Sequence, residues 1–426
     1  MHFGLDPQPA ADVVIPSLDV PLEPGQVVLL LGPSGSGKSS VLGEIARRYV
    51  AACLVQRINF PPESALVDAI ALEAPLADAL HLLTACGLSE PRLWLRRFEE
   101  LSDGEKFRAR LARAIGLVHQ PSPTAPLLCD EFGSVLHRRA AKALALNLRK
   151  LVTRRGLTAV VAASNPDIVA DLRPDVCMKL GAAEGVAVST NSASGLPGFS
   201  GRRRMRVEPG SRRDYDAFAA MHYRSTDELG FVDRVFVLRD GTGGDLLGIV
   251  VFAHSPLELN LRNQATGGAY VRDPAGVNRD FRILRRLVIH PDVRGCGLGH
   301  WLVRKTLPQV GTRYVECLAG MGAFHPVFDK AGMRRVGQYD TPPKCRAALL
   351  ALKELGVDPL GGEFPRQVAR RRDVRAVVAG VVRDWYAGTT GGGEIRVQRQ
   401  SPEFLARAFR GLIGSRPVYY LWERKE

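Results

Sequence analysis

The sequence predicts an α/β chain of more than one domain, and three observations carry that prediction. A strand-like run feeding a glycine-rich turn and then a helix occurs at residues 26–46 and again at 283–305; the first run, continuous and apolar, is as expected of a strand buried on both faces of a sheet. A chain of 426 residues exceeds what one hydrophobic core usually supports. Residues 182–201 are rich in Gly, Ser, Ala, Thr and Asn, the composition of a flexible linker. The expected division is therefore 1–181, the linker 182–201, a second domain 202–342 with a mixed sheet, and a basic, helical extension 343–426 that packs on it.

Charge separates the same halves. Residues 1–180 hold 20 Lys and Arg against 19 Asp and Glu, a balance of +1; the rest hold 38 against 25, a balance of +13 in a total of +14. An arginine-rich second half attracts polyanions such as nucleic acid or acidic cofactors; a solvated basic surface is the plainer alternative. No apolar run approaches the length of a membrane span, and Met1-His2-Phe3-Gly4 lacks the layout of a signal peptide, so a cytoplasmic protein without membrane contact is expected. The seven cysteines are scattered singly without a CxxC pair and read as reduced and structural.

Taken in order, Gln26 to Leu31 is the first strand, and Gly32-Pro33-Ser34-Gly35-Ser36-Gly37-Lys38-Ser39 is a P-loop before the helical spacing of Val41, Leu42, Ile45 and Ala46. Backbone N–H groups there converge on phosphate oxygens at the positive end of a helix. Lys38 would reach the terminal phosphates, and Ser39, followed by Ser40, would offer its hydroxyl to Mg²⁺. Ala51 to Gln56 reads as a second strand, and Ala65 to Leu83 as helical with a break at Pro75. Ser102 with Glu105 three residues on forms a capping box at the start of a helix that can hold a phosphate. Pro126 to Phe132 is an apolar strand ending in Asp130 and Glu131; beside a P-loop, the first carboxylate can hold Mg²⁺ and the second can orient or deprotonate the attacking water. Gly156 to Ala162 is another buried strand, followed by Ser164-Asn165-Pro166-Asp167.

These motifs, in this order over about residues 12–181, resemble an ABC-type ATPase domain. The resemblance implies ATP and Mg²⁺ as cofactors, with Gly32, Ser34, Gly35, Ser36, Gly37, Lys38, Ser39 and Ser40 on the nucleotide. It makes Ser39, Gln56 and Asp130 the metal-side residues, Gln56 the Q-loop glutamine and Glu131 the catalytic carboxylate. Ser102 and Gly104 complete the site of a second protomer, which implies a homodimer around sandwiched ATP. The sequence departs from the family at Asp103, in place of a signature glycine; at Asn165, in place of the switch histidine; and in a short segment between P-loop and signature. The resemblance is nearer to soluble DNA-repair and chromosome-associated members than to transporters.

In the second half, Arg202-Arg203-Arg204-Met205-Arg206 opens a segment with a helix at 214–222, strands at 235–238 and 247–252, and a polar stretch 254–280 read as a site loop. The strand Ile283 to Ile289 then runs into Arg294-Gly295-Cys296-Gly297-Leu298-Gly299, which opens the helix at His300. Exposed N–H groups at such a turn meet a pyrophosphate. With the strand at 314–318 and Phe328-Asp329-Lys330-Ala331-Gly332-Met333, residues 203–340 resemble the GNAT acetyltransferase family. That resemblance implies acetyl-CoA, its pyrophosphate on Arg294, Gly295, Cys296, Gly297, Leu298 and Gly299 and its pantetheine arm beside Val288 and Ile289. The family's tyrosine acid falls at Phe328, which cannot donate a proton, leaving Glu316, His325 and the pair His222-Tyr223 as candidates; Glu316 also reads as a structural ion-pair partner and His325 as a packing residue. Helices at 347–355 and 364–386, rich in arginine, and a final strand at 417–422 complete the chain. The whole layout resembles predicted ABC-ATPase/acetyltransferase fusions of prokaryotes and their viruses. The function expected is acetyl transfer to an amine on nucleic acid, a DNA base for instance, or on an associated acceptor, gated by ATP. The alternatives are acetylation of a small-molecule or protein amine regulated by ATP, and an ATP-gated nucleic-acid-binding protein with a catalytically degenerate GNAT module.

Overall fold

The structure is a computed structural model that describes residues 22–71, 76–118, 125–182, 185–191, 195–196, 198–219, 221, 229–241, 244–323, 325–389, 397–414 and 416–425. By its internal contacts the chain forms two compact units, the first comprising 1–229, 234–251 and 286–305 and the second 230–233, 252–285 and 306–426.

The first unit is built on a six-stranded sheet of order β2-β3-β4-β1-β5-β6. Its strands are β1 (Val27–Leu31), β2 (Cys53–Leu54), β3 (Leu127–Cys129), β4 (Ala159–Ala163), β5 (Val176–Ala182) and β6 (Gly185–Thr190). The central strands read as continuous apolar runs because they are covered on both faces: all of β1, β3 and β4 is buried. β1 pairs in parallel with β4 and β5, and β3 with β2 and β4. β6 pairs antiparallel with β5, so the first part of the stretch expected as linker is a sheet strand.

The helices of this sheet are α1 (Lys38–Arg48), α2 (Leu66–Ala71), α3 (Leu76–Ala85), α4 (Pro91–Trp94), α5 (Asp103–Leu117), α6 (Arg138–Arg155) and α7 (Val169–Leu172). Residues 72–75, where a break at Pro75 was expected, lie outside the described set. The second strand is shorter than its sequence suggests, because Val55–Arg57 turns into a 3₁₀ segment. α6 buries Leu144, Ala145, Leu148, Leu151 and Val152 in the main core, the spacing of an amphipathic helix, and ends at Gly156 in the left-handed conformation, φ 66°.

A second sheet has order β12-β13-β11-β10-β9-β8-β7. Its strands are β7 (Met205–Pro209), β8 (Val232–Asp240), β9 (Leu246–His254), β10 (Phe281–Ile289), β11 (Tyr314–Ala319), β12 (Arg334–Gln338) and β13 (Val418–Glu423); β8, β9 and β10 contribute residues to both units. In the first unit β7 pairs antiparallel with β8. Of the helix expected at 214–222, the start lies in the 3₁₀ turn Arg212–Tyr215 and α8 is Asp216–Ala219, while 220 and 222 lie outside the described residues. β10 leads through the glycine turn into α11 (Leu298–Thr306), after α9 (Asn260–Ala265) and α10 (Pro274–Asp280). These last two lie within the polar stretch 254–280, which is therefore partly helical.

In the second unit β10 and β11 are parallel with only Phe281↔Tyr314, Arg282↔Val315 and Ile283↔Glu316 in register, while β11 pairs along its length with antiparallel β13. β13 also pairs with β12. The final strand is thus an interior member of the sheet. Between β12 and β13 lie α12's successors α13 (Pro343–Glu354), α14 (Phe364–Arg370), α15 (Arg372–Thr389) and the helix Pro402–Gly414, α12 itself being Val327–Ala331. They close their own core around Leu352, Phe364, Val368, Val378, Val382 and Phe409. The single helix expected over 364–386 is two, interrupted at extended Arg371.

Candidate functional site

The P-loop geometry follows from β1. Its fully buried strand delivers Gly32 against the neighbouring β5, where a Cβ would stand 2.5 Å from Leu180 O and 2.6 Å from Ser36 Oγ; only glycine fits. Gly35 and Gly37 take φ 81° and 87°, the left-handed region that lets the chain turn into α1 without a Cβ penalty. Ser34 and Gly35 are exposed at the loop's tip. Ser36 N donates to Pro33 O at 3.3 Å. Lys38 is buried, its ammonium donating to Gly32 O at 2.8 Å, to Pro33 O, and to Ser36 Oγ at 3.4 Å. The loop's own carbonyls thus hold the cation inside the turn that would cradle phosphates.

The carboxylate at the end of β3 meets the loop. Ser39 Oγ donates to Asp130 Oδ2 at 2.6 Å, and Glu131 N donates to Asp130 Oδ1 at 2.9 Å. Gln56 grips the same backbone from both sides: its Nε2 donates to Asp130 O, and Asp130 N donates to its Oε1 at 3.3 Å. The structure therefore brings Ser39, Gln56 and Asp130 together. A hydroxyl, a carboxylate and an amide oxygen are hard donors that suit Mg²⁺, so this group fits the ion. Glu131 is exposed with φ 45°, a conformation costing a non-glycine residue about 1–2 kcal/mol. It is held by Phe132 N donating to Ala162 O at 2.8 Å and Ser134 N to Glu131 O at 3.1 Å.

Ser102 caps α5 with the reciprocal bonds its spacing predicts. Ser102 N donates to Glu105 Oε2 at 2.9 Å, Glu105 N donates to Ser102 Oγ at 3.4 Å, and Gly104 sits so that a Cβ would meet Leu136 at 3.1 Å. Asp103 occupies the first turn, where a carboxylate is favoured by the helix dipole. Asn165, beyond β4, caps a 3₁₀ turn by accepting from Asp167 N at 3.0 Å.

A buried parallel sheet, a glycine loop entering α1, a lysine inside it and a serine–aspartate pair beside it define a P-loop nucleotide-binding ATPase. Over its N-terminal part the chain belongs to the family of ABC ATP-binding proteins. It is 30% identical over 192 residues to the lipoprotein-releasing system ATP-binding protein LolD 1 of Rhodospirillum rubrum, covering 36% of this chain and 82% of that one. An uncharacterized ABC transporter ATP-binding protein of Methanocaldococcus jannaschii is 27% identical over 185 residues, 35% of this chain and 62% of its own. Among solved structures, a dimeric bacterial ABC transporter cassette aligns with a TM-score of 0.32 and 21% identity, over 39% of this chain and 86% of that chain. No family model matches. Among the described residues no helix is long and apolar enough to cross a membrane.

The second set of predicted residues lies on β10 and the turn after it. Gly295 and Gly297 have φ 80° and 81°, and Val288, Cys296 and Leu298 are buried, with Ile289 and Gly299 half-buried; burial pushes the Cys296 thiol up to about 12. Arg294, expected on a pyrophosphate, is engaged by its own chain. Nε donates to Ile289 O at 2.7 Å, Nη1 to Ser89 Oγ at 2.6 Å and Nη2 to Met221 O at 3.2 Å. Burial works against its charge, opposed by Glu90.

Of the catalytic candidates in this half, Glu316 is fully buried on β11. Arg262, fully buried too, donates to both its carboxylate oxygens at 3.0 and 2.6 Å, and Tyr419 donates at 2.7 Å. Arg262 also donates to Leu257 O and Pro256 O and stacks on Phe281. With both oxygens consumed out of solvent's reach, Glu316 is the ion-pair partner rather than an acid or base facing substrate. His325 is exposed before α12, while His222 and Tyr223 lie outside the described residues. Phe328 is buried against Tyr420, whose hydroxyl donates to Asp329 Oδ2 at 2.9 Å. Tyr419 and Tyr420 carried no sequence signal, and the polar stretch around Arg262 suggested a site loop rather than a buried ion pair, because their partners lie 103, 91 and 54 residues away.

Proposed function

We propose that ATP bound at the cassette gates transfer of an acetyl group from acetyl-CoA to an amine on nucleic acid, or on an acceptor associated with it. The observation that supports the acetyltransferase half is the parallel pair β10/β11 beside the antiparallel pair β11/β13, with β10 leading through left-handed Gly295 and Gly297 into α11. A mixed sheet with a glycine turn leading from a strand into a helix is compatible with the GNAT resemblance, and on this reading the turn takes the pyrophosphate. The amine nitrogen attacks the thioester carbonyl, the C–S bond breaks, and the amine's proton is passed on as the thiol of CoA forms, so acetyl-CoA and amine yield amide and CoA. Mg²⁺ on Ser39 and Asp130 would neutralise phosphate charge at the nucleotide. Lys38 would turn from the loop carbonyls to the phosphates, and exposed Glu131 would orient water. A homodimer, with Ser102 and Gly104 of a second copy facing the nucleotide, belongs to this reading.

Nucleic acid is favoured as the acceptor by charge. The second half carries the +13 balance, and Arg366, Arg370, Arg372 and Arg383 are exposed on α14 and α15 with Trp385 42% exposed. Such arginines can track phosphates while an aromatic stacks a base. The test is transfer of labelled acetyl from acetyl-CoA by the purified chain, with and without ATP, offered DNA, RNA, protein and small amines in parallel. ATP-stimulated label on nucleic acid is the expected result. Label confined to small amines or protein would replace the acceptor, and no label on any acceptor would remove the transferase reading.

A further inference from the structure

We propose that α6 of the ATPase is the positioning element of the acyl-donor turn, with Asn147 and Lys150 as its positioning residues. The inference rests on the acetyltransferase reading above. All the residues involved lie in the first unit.

Arg139, Ala143, Asn147 and Lys150 recur at helical spacing on one face of α6, away from the Leu144, Leu148 and Leu151 face that enters the core. Asn147 is only 4% exposed, and its Nδ2 donates to Arg294 O at 3.1 Å; one turn on, Lys150 Nζ donates to Gly295 O at 2.9 Å. The fit is close, since a Cβ on Gly295 would run into the Asn147 amide. Arg139 holds the neighbouring β8–β9 turn, reaching Asp240 Oδ2 at 3.3 Å and Asp245 Oδ2 at 3.1 Å. Arg294's own guanidinium fastens the turn's start to Ser89 in the loop after α3.

A buried asparagine is retained only where its polar atoms find partners, and here the partner is the backbone of the turn. The consequence follows from the planar trans peptide, in which each carbonyl points opposite to the N–H that follows it. Fixing Arg294 O and Gly295 O on α6 aims the N–H groups of Gly295 and Cys296 away from the helix. Two successive N–H groups so aimed make a concavity for an anion. The ATPase helix thereby does for the donor turn what an arginine in contact with pyrophosphate was expected to do: it organises the anion site, through the backbone.

The test is equilibrium binding of acetyl-CoA to the full chain, by calorimetry, for wild type, Asn147→Ala, Lys150→Met and Lys150→Arg. Each variant is paired with measurements of Mg-ATP affinity, thermal unfolding and hydrogen exchange over 294–299. Losing one charged or buried hydrogen bond at the turn is expected to weaken acetyl-CoA binding about tenfold in Asn147→Ala and Lys150→Met. Lys150→Arg, which keeps a cationic donor, restores it, and Mg-ATP affinity stays put. Faster exchange at Gly295 to Gly299 accompanies the loss. Wild-type acetyl-CoA affinity in both Asn147→Ala and Lys150→Met overturns the inference while leaving the transferase reading standing. If wild type itself binds no acetyl-CoA, the transferase reading fails and the inference with it, and unchanged exchange would further show that α6 does not order the turn at all.

Discussion

Replacing Glu316 separates a structural carboxylate from a catalytic one. In Glu316→Gln the side chain keeps its shape and still accepts from Tyr419, but the fully buried Arg262 loses its counter-charge. Removing one partner of a buried pair costs about 3–5 kcal/mol, because the remaining charge stays desolvated. Burial also disfavours the ionised Tyr419 phenol, with Glu316 adding to that effect, so the hydroxyl stays a donor in the variant. For a unit of this size each kcal/mol moves the unfolding midpoint by about 2–4 °C, giving an expected drop of roughly 6–20 °C. Calorimetric unfolding read beside acetyl transfer per folded molecule, well below the transition, is the assay. Arg262→Met combined with Glu316→Gln should recover part of the loss, since no uncompensated charge is left, and the cycle should show about 0.5–3 kcal/mol of coupling. A Glu316→Gln variant that unfolds within a degree or two of wild type and has lost turnover would refute this reasoning and return Glu316 to the chemistry.

Other expectations come from the first unit. Gly32→Ala must push the P-loop off Leu180 O and Ser36 and should weaken ATP binding at least tenfold, about 1.4 kcal/mol; Gly43→Ala, where a Cβ meets nothing within 4 Å, should instead stabilise by about 0.4–1 kcal/mol in denaturant titrations. Ser102→Ala removes the cap of α5 and should cost about 1 kcal/mol of stability, measurable as a shift in denaturation midpoint. His290, on the turn after β10, has its pKa lowered by burial, with Asp292 opposing and Arg139 and Arg294 reinforcing. Its unfolded form binds a proton more readily than its folded form, so its contribution is fully present above the ordinary value of 6.5 and is lost as pH falls from there through the lower folded value. Unfolding followed against pH should show that step in wild type and a smaller one in His290→Asn.

What was legible in the sequence is what is carried by neighbours in the chain. The P-loop, the Ser102–Glu105 capping box and Asp130 at the end of β3 sit where short-range spacing put them, because a strand, a turn and a cap are each decided within a few residues. β6 was hidden in linker-like composition: Ser189 and Thr190 are exposed polar residues of an edge strand, which need not look apolar. The polar stretch 254–280 misled for a related reason. Arg262 looks like a site residue in sequence, and only the fold shows that Glu316 waits for it on β11.

The same limit explains Arg294, and there it changes the chemistry assigned. An arginine beside a glycine turn suggests a phosphate contact, because a guanidinium suits phosphate oxygens. Whether it makes one depends on what else competes for its donors, and here Ile289 O, Ser89 and Met221 O take Nε, Nη1 and Nη2. Ser89 lies 205 residues before Arg294 and Asn147 lies 147 before it, so no local pattern could rank these partners above a ligand. The glycines themselves have a structural reason to be there. Gly295 is in the left-handed conformation and admits the Asn147 amide that a side chain would block. The glycine requirement at 295 thus has two causes, the turn and the helix behind it. A substitution there should disturb the hold of α6 on the turn as well as the turn itself, whereas Gly297, whose Cβ would meet only the His300 ring at 3.0 Å, should disturb the turn alone.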